Sequence, residues 1–208
     1  MNASITSNRR PLARALYAFF VAIALGATPS NARAKVYVTQ FSIVSEYDTT
    51  TGGVIKASFI MGLNLPVALA LSGNTLLVAS AFDTVSEYDA KTGDAINGAF
   101  ITGLNGGLNG PTGLAVEGNT LYVASNSRGT VSAYNATTGT PINRIFIAGL
   151  NGPVGLAVKG NTLFVANSPP FAGESTVGAY DSKTGAPINV NFITGLTGLG
   201  GIAVKSAK

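Results

Sequence analysis

The sequence predicts an all-β fold built by repetition, and three observations carry that prediction. A segment running from Pro111 to Ser125 (Pro-Thr-Gly-Leu-Ala-Val-Glu-Gly-Asn-Thr-Leu-Tyr-Val-Ala-Ser) returns nearly unchanged from Pro153 to Asn167, and an earlier copy runs from Pro66 to Ser80. A second segment recurs between these copies: Tyr47-Asp48, Tyr88-Asp89, Tyr134-Asn135 and Tyr180-Asp181 each lead to a glycine, at Gly52, Gly93, Gly139 and Gly185. Phe59, Phe100, Phe146 and Phe192 follow, spaced by 41, 46 and 46 residues. Finally, Val, Ile, Tyr, Phe and Thr fill short runs that Gly, Asn and Pro interrupt roughly every 8 to 12 residues, which is strand-and-turn patterning. Beyond residue 34 there is no 3.6-residue apolar period of the kind a helical repeat needs.

Each unit divides into four short strands. In one unit these are Gly113–Val116, Thr120–Ala124, Thr130–Tyr134 and Ile142–Ile147, with Glu117-Gly118-Asn119 turning between the first two. Four strands in a repeat of this length is the size of a propeller blade. The first unit begins at Val36–Thr39 and lacks a first strand, whereas Gly198–Val204 reads as a first strand with nothing after it. Placing that last strand in the first blade closes a ring and removes open sheet edges. The expectation is thus a β-propeller of four-stranded antiparallel blades, four in number, with the C-terminal strand closing the first blade. Closure within one chain makes a monomer. A dimer follows if two chains share one eight-bladed ring, and a fragment of a larger propeller is the remaining alternative.

Residues 1–34 stand apart from the repeats. Arg9, Arg10 and Arg14 precede an apolar run from Ala15 to Gly26, and the stretch ends in Ala32-Arg33-Ala34, the layout of a secretory signal peptide. Twelve apolar residues rise only about 18 Å as a helix, short of a bilayer core ~30 Å thick, so no membrane span is expected after its removal. Ser7 to Leu12 carries a faint twin-arginine pattern, and ordinary Sec export is expected. The protein should be exported, periplasmic or extracellular, with residues 35–208 as one propeller domain. All four charged residues of the leader are Arg, so residues 35–208 hold nine Lys/Arg against nine Asp/Glu. The basic pI belongs to the leader, and no nucleic-acid partner is expected.

No His and no Cys occur in the chain. Ser-His-Asp and Cys-His nucleophilic sites are therefore excluded, as are His- or thiolate-ligated zinc and copper sites. The repeated Tyr-Asp-x-x-Thr-Gly segments look like acid/base or metal motifs, but Asn135 replaces Asp in one copy with the rest intact. What the position needs is a hydrogen-bond acceptor in a tight turn, with Gly supplying positive φ. No catalytic residue, metal ligand or cofactor is assigned. The recurrent Tyr and Phe are expected to pack between blades.

With these residues in view, Pro-x-Gly-Leu-Ala-Val-x-Gly-Asn-Thr-Leu-Tyr-Val-Ala followed by Tyr-Asp-x-x-Thr-Gly resembles NHL-type and SMP-30/gluconolactonase-like repeats, and is similar to the YVTN-type repeats of exported bacterial propellers. The resemblance covers essentially Lys35 to Lys208. Such repeats often carry Asp after Val-Ala, where this chain has Ser80, Ser125 and Asn167. The absence of Trp argues against WD40-type and quinoprotein-type blades. What the SMP-30 likeness implies is a calcium-dependent lactonase-like hydrolase, with Asn126 and Asn167 near where its ligands would come from.

The loops between second and third strands vary from blade to blade, as do the links between blades. An antiparallel meander places both on one face, and variation on a rigid scaffold is where binding sits. Candidate contact residues there are Phe82, Asp83, Asn126, Arg128, Phe171 and Glu174, the last two in an insertion spanning 169–174. The expected function is a non-enzymatic binding scaffold for a protein or glycan partner. The alternatives are the lactonase-like hydrolase and a structural surface or matrix component.

Overall fold

The computed structural model describes residues 34–104, 110–170 and 173–205. The expected leader, apart from Ala34, lies outside them, as does most of the Leu104–Gly110 link. Among the described residues there is no helix. Three strands, β1 (Lys35–Gln40), β2 (Ile43–Asp48) and β3 (Val54–Ile60), form the first sheet. The second contains β4 (Pro66–Ser72), β5 (Thr75–Ser80), β6 (Val85–Asp89) and β7 (Ala95–Ile101). The third contains β8 (Pro111–Glu117), β9 (Thr120–Ser125), β10 (Thr130–Asn135) and β11 (Pro141–Ile147). The fourth contains β12 (Pro153–Lys159), β13 (Thr162–Asn167), β14 (Ser175–Asp181) and β15 (Pro187–Leu196). Every sheet is an antiparallel meander, and the four sheets are the blades of a β-propeller.

Within a blade the outer strand is bulged. Between Val131 and Ala133 the partner strand advances from Ile147 to Asn143, so β11 carries extra residues against β10. The side chains there absorb the freed backbone groups. The Ser132 hydroxyl donates to the Arg144 carbonyl at 2.7 Å, and the Ile145 amide donates to Asn143 Oδ1 at 2.9 Å. Ser86 with Gly98, and Asn97 with Ala99, repeat this in the second blade. A bulge increases local twist, which the outer strand of a propeller blade requires.

The core lies between blades. Tyr37, Val44, Phe59 and Ile60 of the first blade pack with Leu69, Leu76 and Val78 of the second. Leu77, Phe100 and Ile101 pack with Leu114, Leu121, Val123 and Tyr134 across the next interface. Tyr122, Val131 and Ile147 pack with Leu156, Leu163, Val165 and Tyr180 across the third. Burial of one such Leu or Phe contributes about 2 kcal/mol, so three interfaces of this kind supply most of the driving force. Polar links are added: the Tyr122 hydroxyl donates to the Ser182 carbonyl at 2.5 Å, and Thr112 Oγ1 to the Pro153 carbonyl at 2.7 Å. Tyr37 does the same toward Ala90, also at 2.5 Å. Burial, and then the nearby Glu46 carboxylate, push the Tyr37 phenol up to about 12. Glu46 is itself fully buried and paired with Lys35.

The expected closure of the first blade is not formed. β1 pairs only with β2, and residues 197–205 belong to no sheet. The segment does follow the inner strands, but one blade on from β12. A Cβ on Gly155 would sit 3.2 Å from the Gly201 Cα, the same relation that Gly113 has to the Gly155 Cα.

Candidate interaction face

The two ends of the strands make different surfaces. At one end every blade carries the same turn. Asp89 Oδ1 accepts from the Lys91 and Thr92 amides at 2.7 and 2.8 Å, and Asp181 Oδ1 from the Lys183 and Thr184 amides at 2.9 and 2.8 Å. Asp48 does likewise with Thr50 and Thr51, and Asn135 Oδ1 takes the Thr137 and Thr138 amides at 2.9 Å each. The neutral amide thus does the same work as the carboxylates. Backbone donation from Thr92 and Lys91 holds the Asp89 carboxyl below the ordinary Asp pKa, and donation from Thr184, by backbone and then hydroxyl, does the same for Asp181.

A folded-state pKa below the unfolded one contributes stability above the ordinary Asp range that is lost as pH falls through the depressed value. Asp89→Asn should therefore leave the melting temperature near that of the parent at neutral pH and flatten its acid limb. Asp89→Ala should lower it at neutral pH. Thermal melts from neutral to acid pH check both, and an Asn variant as damaged as the Ala variant would show that charge matters.

At the other end, loops and links interlock. The Leu63 amide donates to the Ser42 carbonyl at 2.9 Å, Ala81 to Leu65 at 3.0 Å, Leu150 to Gly129 at 2.9 Å and Ser168 to Gly152 at 2.8 Å. The β1–β2, β5–β6, β9–β10 and β13–β14 loops and the links between blades therefore share one face. Phe82 and Asp83 lie in the β5–β6 loop, Asn126 and Arg128 in the β9–β10 loop, and Glu174 in the β13–β14 loop. Phe82, Arg128 and Glu174 are exposed and Asn126 half-buried, while Phe171 lies outside the described residues.

Three further residues of this face escaped sequence reading. Phe41, in the β1–β2 loop, is 72% exposed; Met61, in the β3–β4 link, is 71% exposed; and Leu65 of the same link is also exposed. With Phe82 they give this face four large exposed apolar side chains on the loops and link of the first two blades. Among the described residues, Leu65 and Asp83 are also the non-glycine residues with positive φ, +45° and +98°. Such conformations cost about 1–3 kcal/mol each and persist where the surroundings impose them. A signal was available: apolar residues standing in turn positions, as Phe41 does before Ser42.

Equivalent clefts open between each link and the following blade. One of about 300 Å³ is lined by Leu63, Asn64, Ser80 and Phe82; one of about 530 Å³ by Leu150, Asn151, Asn167 and Tyr180. The intervening one, lined by Leu104, Ser125, Arg128 and Arg144, is nearly closed at about 10 Å³. The second-strand ends line each of them. Ser80 Oγ donates to the Asn64 carbonyl at 2.6 Å, whereas Ser125 Oγ and Asn167 Oδ1 are buried without a hydrogen-bond partner. A buried polar atom left unmatched costs about 1–3 kcal/mol, so these are the positions where a polar group from outside would gain most. Among the described residues no three His, Cys, Asp or Glu side chains are grouped as metal ligands.

The PQQ_2 family model, described as outer membrane protein assembly factor BamB, matches residues 25–142. The chain belongs to this family. The inference from missing Trp against quinoprotein-type blades is thereby overturned: in this chain Leu, Tyr and Phe fill the blade interfaces. None of the curated proteins compared matches the chain.

Solved structures share the fold. The computationally designed Ika4 protein is 19% identical, with a TM-score of 0.53, over 69% of this chain and 81% of that one. The designed Ika8 protein is 17% identical, with a TM-score of 0.56, over 88% of this chain. A chain of a nidogen/laminin complex is 13% identical, with a TM-score of 0.64, over 77% of this chain. This chain spans about half the length of Ika8, 52%, and 62% of the nidogen/laminin chain.

Proposed function

We propose that the protein is an exported, periplasmic scaffold that binds another protein through the loop face of its propeller, without catalysing a reaction. The observation that carries this reading is that Phe41, Met61, Leu65 and Phe82 all stand exposed on the interlocked loops and link of one face, the face that also carries Asp83, Arg128 and Glu174. An exposed apolar patch with a polar rim is the usual anatomy of a protein-binding surface. Family membership supports it, since the family is described as outer membrane protein assembly factor BamB. The signal-peptide pattern of residues 1–34 supports export. On the turn face Asp48, Asp89 and Asp181 are committed to their own backbone amides.

The test is cross-linking in intact cell envelopes with the parent and with a Met61→Ser, Phe82→Ser double variant. The parent should yield a discrete protein adduct that the variant loses by tenfold or more, about 1.4 kcal/mol of binding or more, while its melting temperature is retained. An adduct of equal yield from the variant would contradict the reading.

A further inference from the structure

The two ends of the blade array leave open the kind of surface that the packed blades bury against one another. In the packed blades the turn glycine of one blade lies against the outer strand of the blade before it. Gly93 abuts the Phe59 carbonyl, Gly139 that of Phe100 and Gly185 that of Phe146, so closely that a methyl group would overlap each oxygen. Gly52, the corresponding glycine of the first blade, has the same positive φ, +68°, and nothing within 4 Å. At the other end, Phe192 and Ile193 of β15 are 51% and 42% exposed, whereas Ile60, Ile101 and Ile147 at the Ile193 position are each 3% exposed.

The rest of the two faces shows the same deficit. Val36 and Val38 of β1 and Tyr47 of β2 are half-buried, where Leu121, Val123 and Tyr134 at the same positions of the third blade are buried. Among the described residues β1 pairs with β2 and with no inner strand. Gly201-Ile-Ala-Val204 has the inner-strand sequence of Gly155-Leu-Ala-Val158, yet it pairs with no strand and leaves Val204 exposed.

We infer that a second copy of this chain completes both faces. The last blade of one copy packs Phe192 and Ile193 against Gly52, Val36 and Tyr47 of the other, and residues 201–204 of the first add as inner strand to β1 of the second. The contact is head to tail, and a second, identical contact closes the pair into one ring of eight blades. Eight is within the range of propeller sizes, and strand addition to an open edge is an established mode of association. The same fold extends well beyond this length in Ika8, of which the chain matches 52%. Within one chain, no strand pairing joins the fourth sheet or residues 201–204 to the first sheet.

The mass of the purified protein in solution, measured by light scattering over a wide concentration range, tests this. The parent should have twice the mass of one chain and grow no further. Phe192→Asp and Gly52→Val should each have the mass of one chain with unchanged strand content. Mixing these two variants should restore a two-chain species, because each keeps the face that the other has lost. A single-chain mass for the parent would overturn the inference in favour of closure within the chain. So would a two-chain mass that both variants leave intact, or a mass that rises without limit. None of these results bears on the loop face, so this inference and the proposed function fail separately.

Discussion

Gly139→Val is expected to destabilise the protein by about 4 kcal/mol and to lower its melting temperature by about 10 °C. Two costs combine at this position. The backbone sits at φ +69°, which a β-branched residue tolerates poorly, and any Cβ would overlap the Phe100 carbonyl of the preceding blade. That oxygen belongs to an outer strand already bulged and pinned, so neither side can retreat without opening the blade interface. Gly118→Val is the control, since its φ is +57° but nothing lies within 4 Å. It should cost only the backbone part, about 1–3 kcal/mol. Urea titrations of both variants check this, and equal losses would mean that the blades do not press together at Gly139.

Leu163→Ala should cost about 3 kcal/mol, with the denaturant dependence of unfolding unchanged. Leu163 has no exposed surface and lies in the cluster with Tyr122, Ile147, Leu156 and Tyr180, between the third and fourth blades. Its removal leaves a cavity that two sheets joined by their ladders cannot collapse to fill. Leu121→Ala, at the same place one blade earlier and equally buried, should cost a similar amount. A loss below about 1 kcal/mol at either position would show that the interface is loosely packed.

Most of the fold was legible because it is written in short range. Strand boundaries followed Gly, Asn and Pro at fixed places, and β8 to β11 lie within a few residues of the runs read from the repeat. The turn reading of Asp48, Asp89, Asn135 and Asp181 also rested on local chemistry, with the single Asn as the deciding residue. Ring closure was misread for the opposite reason. Whether the segment after β15 reaches β1 depends on the angle between blades summed over three interfaces, and no local pattern encodes that sum. The absence of Trp misled about family because the blade interfaces can be filled in more than one way.

At the interaction face the loops of Phe82, Asp83, Asn126, Arg128 and Glu174 were chosen for their variability. Variability does not single out Phe41, Met61 or Leu65, whose importance lies in exposure, a property of the folded chain. Likewise, Ser125 and Asn167 stood out as departures from a repeat pattern. That their polar atoms are buried and unmatched follows only from how each link covers its cleft.

A photoreactive side chain introduced at Phe82 and, separately, at Lys183 on the opposite face tests the central claim most directly, with irradiation in intact cells and protein adducts resolved by mass. The loop-face binding account predicts a discrete protein adduct from position 82 and none from position 183. Adducts from position 183 alone, or from both positions with equal yield, would contradict it.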